Sequence, residues 1–176
     1  MAVVGRLKQG LKALFAFTQP VQDDTARQIL SPELYALFCT MRRAERQHSL
    51  SVLRTIQRMG ETNLSLWQAA LLHDVGKTRV PFSVLARTMV VLMRKIAPKL
   101  AYRWGSVPLE QARFYQRPFV MGYQHPGWSA EMIAAAGADD LTVQLVRAHA
   151  ERLPNGAPHS EYERLLLALQ AADNIN

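Results

Sequence analysis

The sequence predicts an all-α domain. Apolar positions recur at steps of three and four in several separate stretches, helix-start signals stand ahead of three of them, and proline or glycine falls between them. At 176 residues the chain suits one domain with a substantial core and needs no second. Lys and Arg total 21 against 14 Asp and Glu, a formal +7, so the surface should attract phosphorylated or otherwise anionic ligands. Charge alone is equally met by an ordinary basic surface.

Residues 1–20 read as a basic amphipathic piece: Val4, Leu7, Leu11, Leu14 and Phe15 fall near helical spacing and Pro20 stops it. Packing on the domain is the preferred role, with a membrane-surface or partner contact as the alternative. Ser31-Pro32-Glu33 is a helix start, since serine caps, proline suits the first turn and glutamate answers the positive end. A long helical region then runs to Gly60, with room for a break before His48. Met41, Glu45, His48, Val52, Ile56 and Met59 make its core-facing stripe. Cys39, the one cysteine, is expected to pack in the core and not to pair or react. A helix through Leu64, Trp67, Ala70 and Leu71 leads to His73-Asp74, where Gly76 is expected to permit a sharp turn. Between Arg87 and Pro118 one or two further helices are expected, divided near Pro98 and ending near Gly105. Gly137-Ala138-Asp139-Asp140 ends one helix and caps the next, on which Leu141, Leu145 and His149 fall four apart. Ser160-x-x-Glu163 is a capping box for the last helix, whose Tyr162, Leu166, Leu169 and Asp173 share a face.

Polar residues on these apolar faces are the informative feature. A buried imidazole beside a buried carboxylate is costly unless each has a partner, and a divalent cation satisfies both. His73-Asp74 therefore asks for further ligands. His48 lies upstream on a core-facing stripe, and His125, His149 and Asp173 follow downstream. Taken singly, an inward histidine is most often a hydrogen-bonded core residue, and Asp173, three residues from the end, could sit on a frayed turn.

The ordered series His48, His73-Asp74-x-Gly76-Lys77, His125, His149, Asp173 resembles the HD superfamily of metal-dependent phosphohydrolases, over roughly residues 31–176. Its details look most like the HD-GYP branch. Val80-Pro81 after the Gly-Lys, and His125-Pro126 leading to Ser129-Ala130-Glu131, continue the likeness, the histidine there standing just before a helix. Two departures stand out. The Arg87–Pro118 segment is longer than that pattern has, and near His149-Ala150-Glu151 alanine replaces a second histidine and no GYP follows. The resemblance implies an HD-domain helical bundle over 31–176, an extension over 1–30, and an added helical segment over 79–118. That segment could cover the site, form a dimer face or rest on a membrane, core or dimer packing being preferred.

For the site, the resemblance implies His48, His73, Asp74 and Asp173 on one metal, with Asp74 bridging to a second held by His125 and His149. Glu45 is a weak candidate for a further carboxylate. Mixed imidazole and carboxylate donors suit manganese, iron, zinc, cobalt or nickel and admit magnesium. Such a site hydrolyses a phosphomonoester or phosphodiester of a nucleotide by a metal-activated water, with Asp74 orienting the nucleophile, Lys77 on a phosphate oxygen, and Arg79, Arg147 and Arg152 as remote phosphate contacts. The missing loop counts against cyclic di-GMP; a nucleotidase or another phosphodiesterase stands beside that narrower reading. The rival is a catalytically silent HD module that binds a nucleotide or partner protein in signalling. A homodimer is an open expectation, and no recognition motif supports nucleic acid. The cysteine usage, the absence of a long apolar run and the rejection of a signal peptide point to a cytoplasmic location, with peripheral membrane contact open.

Overall fold

The structure, a computed structural model, describes residues 23–80, 84–151 and 158–176. Among these residues all regular structure is helical: α1 (Asp24–Ile29), α2 (Pro32–Thr40), α3 (Arg43–Arg58), α4 (Leu64–Leu72), a 3-10 turn (Val75–Arg79), α5 (Val84–Ile96), α6 (Pro98–Gly105), a second 3-10 turn (Leu109–Gln111), α7 (Arg117–Ala135), α8 (Asp140–Ala148) and α9 (Glu161–Ile175). The amphipathic residues expected at 1–20, Pro81 and Arg152 lie outside the described residues.

Local chemistry sets most boundaries. Ser31 Oγ accepts from the Leu34 N–H to start α2, Asn63 Oδ1 from Leu66 to start α4, and Asp139 Oδ1 from Thr142 to start α8. The expected break before His48 falls at Met41 and Arg42, both extended, after which Glu45 closes a capping box on the Arg42 N–H at 3.1 Å. Gly60 and Gly137 adopt φ of +82° and +85° at the ends of α3 and α7, a left-handed turn that other residues resist. At the last helix Ser160 Oγ accepts from the Glu163 N–H, while the Glu163 carboxylate accepts from His159.

The main core joins α1 to α4, the C-terminal half of α7, α8 and α9, around Phe38, Leu53, Ile56, Leu71, Ile133, Leu145 and Leu165. Ala26 of α1 is fully buried within it. A second cluster gathers Val80, Ala112, Val120, Met121 and Trp128, and a third Val90, Ala101 and Phe119. Thus α7 is a spine whose C-terminal half belongs to the bundle and whose N-terminal half carries α5 and α6. His125 sits between the two halves.

Three expectations are corrected. His125 does not precede a helix: α7 starts at Arg117, with Pro118 in its first turn, and runs through Pro126. Proline has no N–H to offer the Gly122 carbonyl four residues back. Arg94 of α5 supplies the missing donor, its Nη2 lying 2.7 Å from Gly122 O, with the guanidinium over the Tyr123 ring. Cys39 is exposed: Leu34 and Phe38 point α2 inward, and the next residue is turned about 100° away. Met59 is likewise exposed, at the C-cap of α3 beyond the buried stripe.

Candidate metal centre

His73 and His149 occupy equivalent positions. Each is the C-cap of a helix, α4 and α8, with nearly the same backbone angles (−55°, −29° and −57°, −27°). Each turns its Nδ1–H back to a carbonyl of the last turn: His73 to Ala70 O at 3.0 Å and His149 to Val146 O at 2.7 Å. These are carbonyls a helix end leaves without an intrahelical donor. His125, inside α7, donates its Nδ1–H to Met121 O at 3.0 Å. In all three rings Nδ1 is committed to the backbone, so the lone pair belongs to Nε2, as in metal-binding histidines oriented by a carbonyl.

The rings converge. His73 lies 5.4 Å from His48, 5.0 Å from His149, and His149 lies 5.2 Å from His125, centroid to centroid. Asp74 Oδ1 stands 3.6 Å from His73 Nε2 and 3.5 Å from His125 Nε2, while Asp173 Oδ1 is 3.6 Å from His73 Nε2 and 2.8 Å from His48 Nε2. Two groups emerge whose donor atoms lie within 4.8 Å of one another: His48, His73 and Asp74, and Asp74, His125 and His149. Asp74 is common to both, and the Asp173 oxygen borders the first.

These atoms fit a cation. His73 Nε2 is buried without a hydrogen-bond partner, and its carboxylate neighbours at 3.6 Å are beyond hydrogen-bond reach. Donors about 2.1 Å from one tetrahedral ion lie roughly 3.4 Å apart, close to this spacing. The C-terminal ends of α4 and α8 add negative dipole ends on the same side. His48 differs from the other three, since its Nε2–H donates to Asp173, and taking a metal at Nε2 would require the tautomer that carries the proton on Nδ1.

The charges are mutually adjusted. Burial would lower the His73 pKa, but Asp74 and Asp173 outweigh it and hold it above its ordinary value. Burial would raise Asp74, yet His73, Lys77 and His125 keep it well below the usual carboxylate range. Asp173 is also lowered, its burial overcome chiefly by the hydrogen bond from His48 and by His73. Burial lowers His125, and burial with repulsion from His73 and His125 lowers His149 to about 3.

The loop after Asp74 is held by contact with α7. A Cβ on Gly76 would lie 2.5 Å from His125 O and 2.7 Å from Ser129 N, and the Gly76 N–H donates to Ser129 Oγ at 2.8 Å. Its φ is not positive, so close approach, and not the expected sharp turn, is what requires glycine here. Lys77 returns to the site, its Nζ 2.6 Å from Asp74 Oδ2.

The remaining sequence-predicted residues are more distant in role. Arg79 pairs with Glu131 at 3.3 Å and lies over Trp128, at the edge of a cavity of about 410 Å³ lined also by Val80, Leu109, Phe114 and Arg117. Arg147 is exposed on α8. Glu45 is buried, its carboxylate accepting from the Arg42 N–H, and belongs to neither donor group. Sequence reasoning missed Gln170, whose Nε2 donates to Ala148 O at 3.3 Å and Glu151 O at 2.8 Å and so secures the turn carrying His149. Pairing between α9 and the end of α8 leaves no local signal.

A family model described as HD domain matches residues 46–176. A multifunctional CCA protein of Neisseria gonorrhoeae is 43% identical over 68 residues, which cover 35% of this chain and 17% of that protein. One from Neisseria meningitidis serogroup C is 41% identical over 68 residues, covering 35% and 16%. The chain thus spans only about a sixth of the length of these curated relatives. No solved structure gives a significant match. With the family model extending from α3 to the last residue and across every histidine and aspartate of the site, the chain belongs to the HD domain family of metal-dependent phosphohydrolases.

Proposed function

We propose that the chain is a metal-dependent phosphohydrolase acting on a phosphomonoester or phosphodiester of a nucleotide. The observation that carries the reading is the buried, unpartnered His73 Nε2 facing two ionised carboxylates. Residues 31–176 would form the hydrolase unit, with 79–118 as its addition. His48, His73, Asp74 and Asp173 would hold one divalent ion, and Asp74, His125 and His149 a second. Ions bound there supply a water acidic enough to act near neutral pH and offset charge on the phosphoryl oxygens.

The chain's own residues do the rest. The Nδ1–H bonds of His73, His125 and His149 fix each ring's tautomer and direction. Asp74 accepts a hydrogen bond from the attacking water and orients it. Lys77 keeps Asp74 ionised and is within reach of a non-bridging phosphate oxygen. Arg79 ends the 3-10 turn that begins after Asp74, and the cavity it lines with Val80, Glu110 and Arg117 is proposed to take the rest of a nucleotide. Arg147 and Arg152 are proposed as remote phosphate contacts.

Elemental analysis of protein purified without a metal-affinity tag tests the reading, followed by a phosphoester screen. The wild-type chain carries about two ions, His125→Ala loses about one and His73→Ala loses more. Lys77→Ala retains metal and lowers kcat by roughly 10²–10³. Absence of metal after reconstitution with manganese, iron or zinc would sink the hydrolase and leave the silent binding module.

A further inference from the structure

Residues 75–109 hold seven of the 21 Lys and Arg and none of the 14 Asp and Glu, so the other 14 basic residues balance the 14 acidic ones and the entire formal +7 resides in this stretch. Most of it is the α5–α6 hairpin, and the same hairpin exposes apolar side chains. Val90 turns inward with Ala101 and Phe119. On the opposite side of α5, Met89, Leu92 and Ile96 form a stripe at steps of three and four, with Leu92 53% and Ile96 70% exposed. Lys95 stands next to Ile96 on α5, and on α6 Lys99 and Arg103 fall four apart on the side away from the buried Ala101; all three are exposed and without an ion pair among the described residues. Arg94 is excluded from this face because it is bound to Gly122.

We propose that the outer face of α5 and α6 docks on an anionic lipid surface. An apolar stripe flanked by basic residues is the composition of a helix lying in the headgroup region. The two components also weigh against other occupants. A second copy would meet a symmetric self-contact with like charges and no acidic residue to answer them. Nucleic acid would answer the lysines but offers aliphatic Met89, Leu92 and Ile96 no comparable burial. None of these side chains is a proposed ligand, so the inference is independent of the hydrolase reading. Among the described residues no helix is long and apolar enough to cross a membrane, and the contact is a surface one.

Sedimentation of the full chain with sucrose-loaded vesicles of phosphatidylcholine, with and without phosphatidylserine, tests this. The wild-type chain sediments with the phosphatidylserine vesicles, is released by raised salt, and stays in solution with phosphatidylcholine alone. Lys95→Glu with Lys99→Glu lowers the partition constant about tenfold or more, since each basic residue near the surface is worth roughly fivefold. Leu92→Asp with Ile96→Asp lowers it comparably, while the melting temperature and metal content of both double variants stay at the wild-type values. Failure to sediment with phosphatidylserine, or sedimentation that both variants retain, overturns the proposal. In place of lipid binding, a dimer in light scattering that Leu92→Asp with Ile96→Asp dissolves assigns the face to a second copy. Oligonucleotide binding lost only in the lysine variant assigns it to nucleic acid.

Discussion

A methyl group on residue 76 has nowhere to go, because the atoms it meets, His125 O and Ser129 N, are backbone atoms of α7 and cannot rotate aside. Gly76→Ala is therefore expected to push the His73-Asp74 loop from α7, at a cost of about 1–3 kcal/mol. Denaturant unfolding would measure that cost, and elemental analysis a parallel fall in bound metal. The titrating groups make a second prediction for metal-free protein. His125 and His149 have lowered folded pKa values, His149 about 3, so below an unfolded value near 6.5 the unfolded chain binds more protons. Stability therefore falls as pH drops below about 6.5, with a slope approaching about 1.4 kcal/mol per pH unit from His149 on the way to about 3, and His125 adds to the loss in the same direction. Below about 3.8 the lowered Asp74 and Asp173 continue the loss in the same direction. His73 acts oppositely: its raised value contributes stability below about 6.5 that is lost as pH rises through its folded pKa. Unfolding midpoints across this range would check the sign, and a flat profile would contradict the neutral burial of His149.

At the scale of the element, site histidines double as structural groups. His73 and His149 finish α4 and α8 by answering carbonyls of the last turn, and Gln170 of α9 secures the turn beyond His149. Gln170→Ala should cost about 1 kcal/mol and weaken retention of the ion assigned to Asp74, His125 and His149 more than that of its neighbour. Metal counts under competing chelator would read this, and equal loss from both positions would contradict it. Elements whose ends are written in nearby residues were legible in the sequence. Ser31-Pro32, Asp139 and Ser160 start helices, and Pro98 divides α5 from α6. The order of the histidines and aspartates was legible too, because polar residues at helical spacing on apolar faces are conspicuous. The start of α7 was not. His125-Pro126 reads locally as a helix entry, and the donor that answers the carbonyl left open by the proline is on α5, 28 residues from Gly122. Cys39 misled for a related reason, since an apolar neighbourhood in sequence did not tell which side of α2 faced the core.

In sequence the 75–109 stretch is purely cationic while the rest of the chain sums to zero, and among the described residues the bundle and the α5–α6 hairpin are joined along α7. The bond from Arg94 to Gly122 makes the two parts mutually dependent, and that dependence is epistatic. With Pro126 present, Arg94→Met removes the donor to a carbonyl that α7 cannot satisfy itself, an expected loss of about 0.5–1.5 kcal/mol. In a Pro126→Ala background the backbone supplies that donor, and the same Arg94→Met substitution should be close to neutral. A double-mutant cycle by denaturant unfolding would return the difference as a coupling energy, and strict additivity would refute it. The historical reading follows the same asymmetry. By this accounting Arg94 costs nothing in a chain without the proline, whereas Pro126 costs less in a chain that already holds Arg94, so a path that brings Arg94 first and Pro126 second is the less costly one.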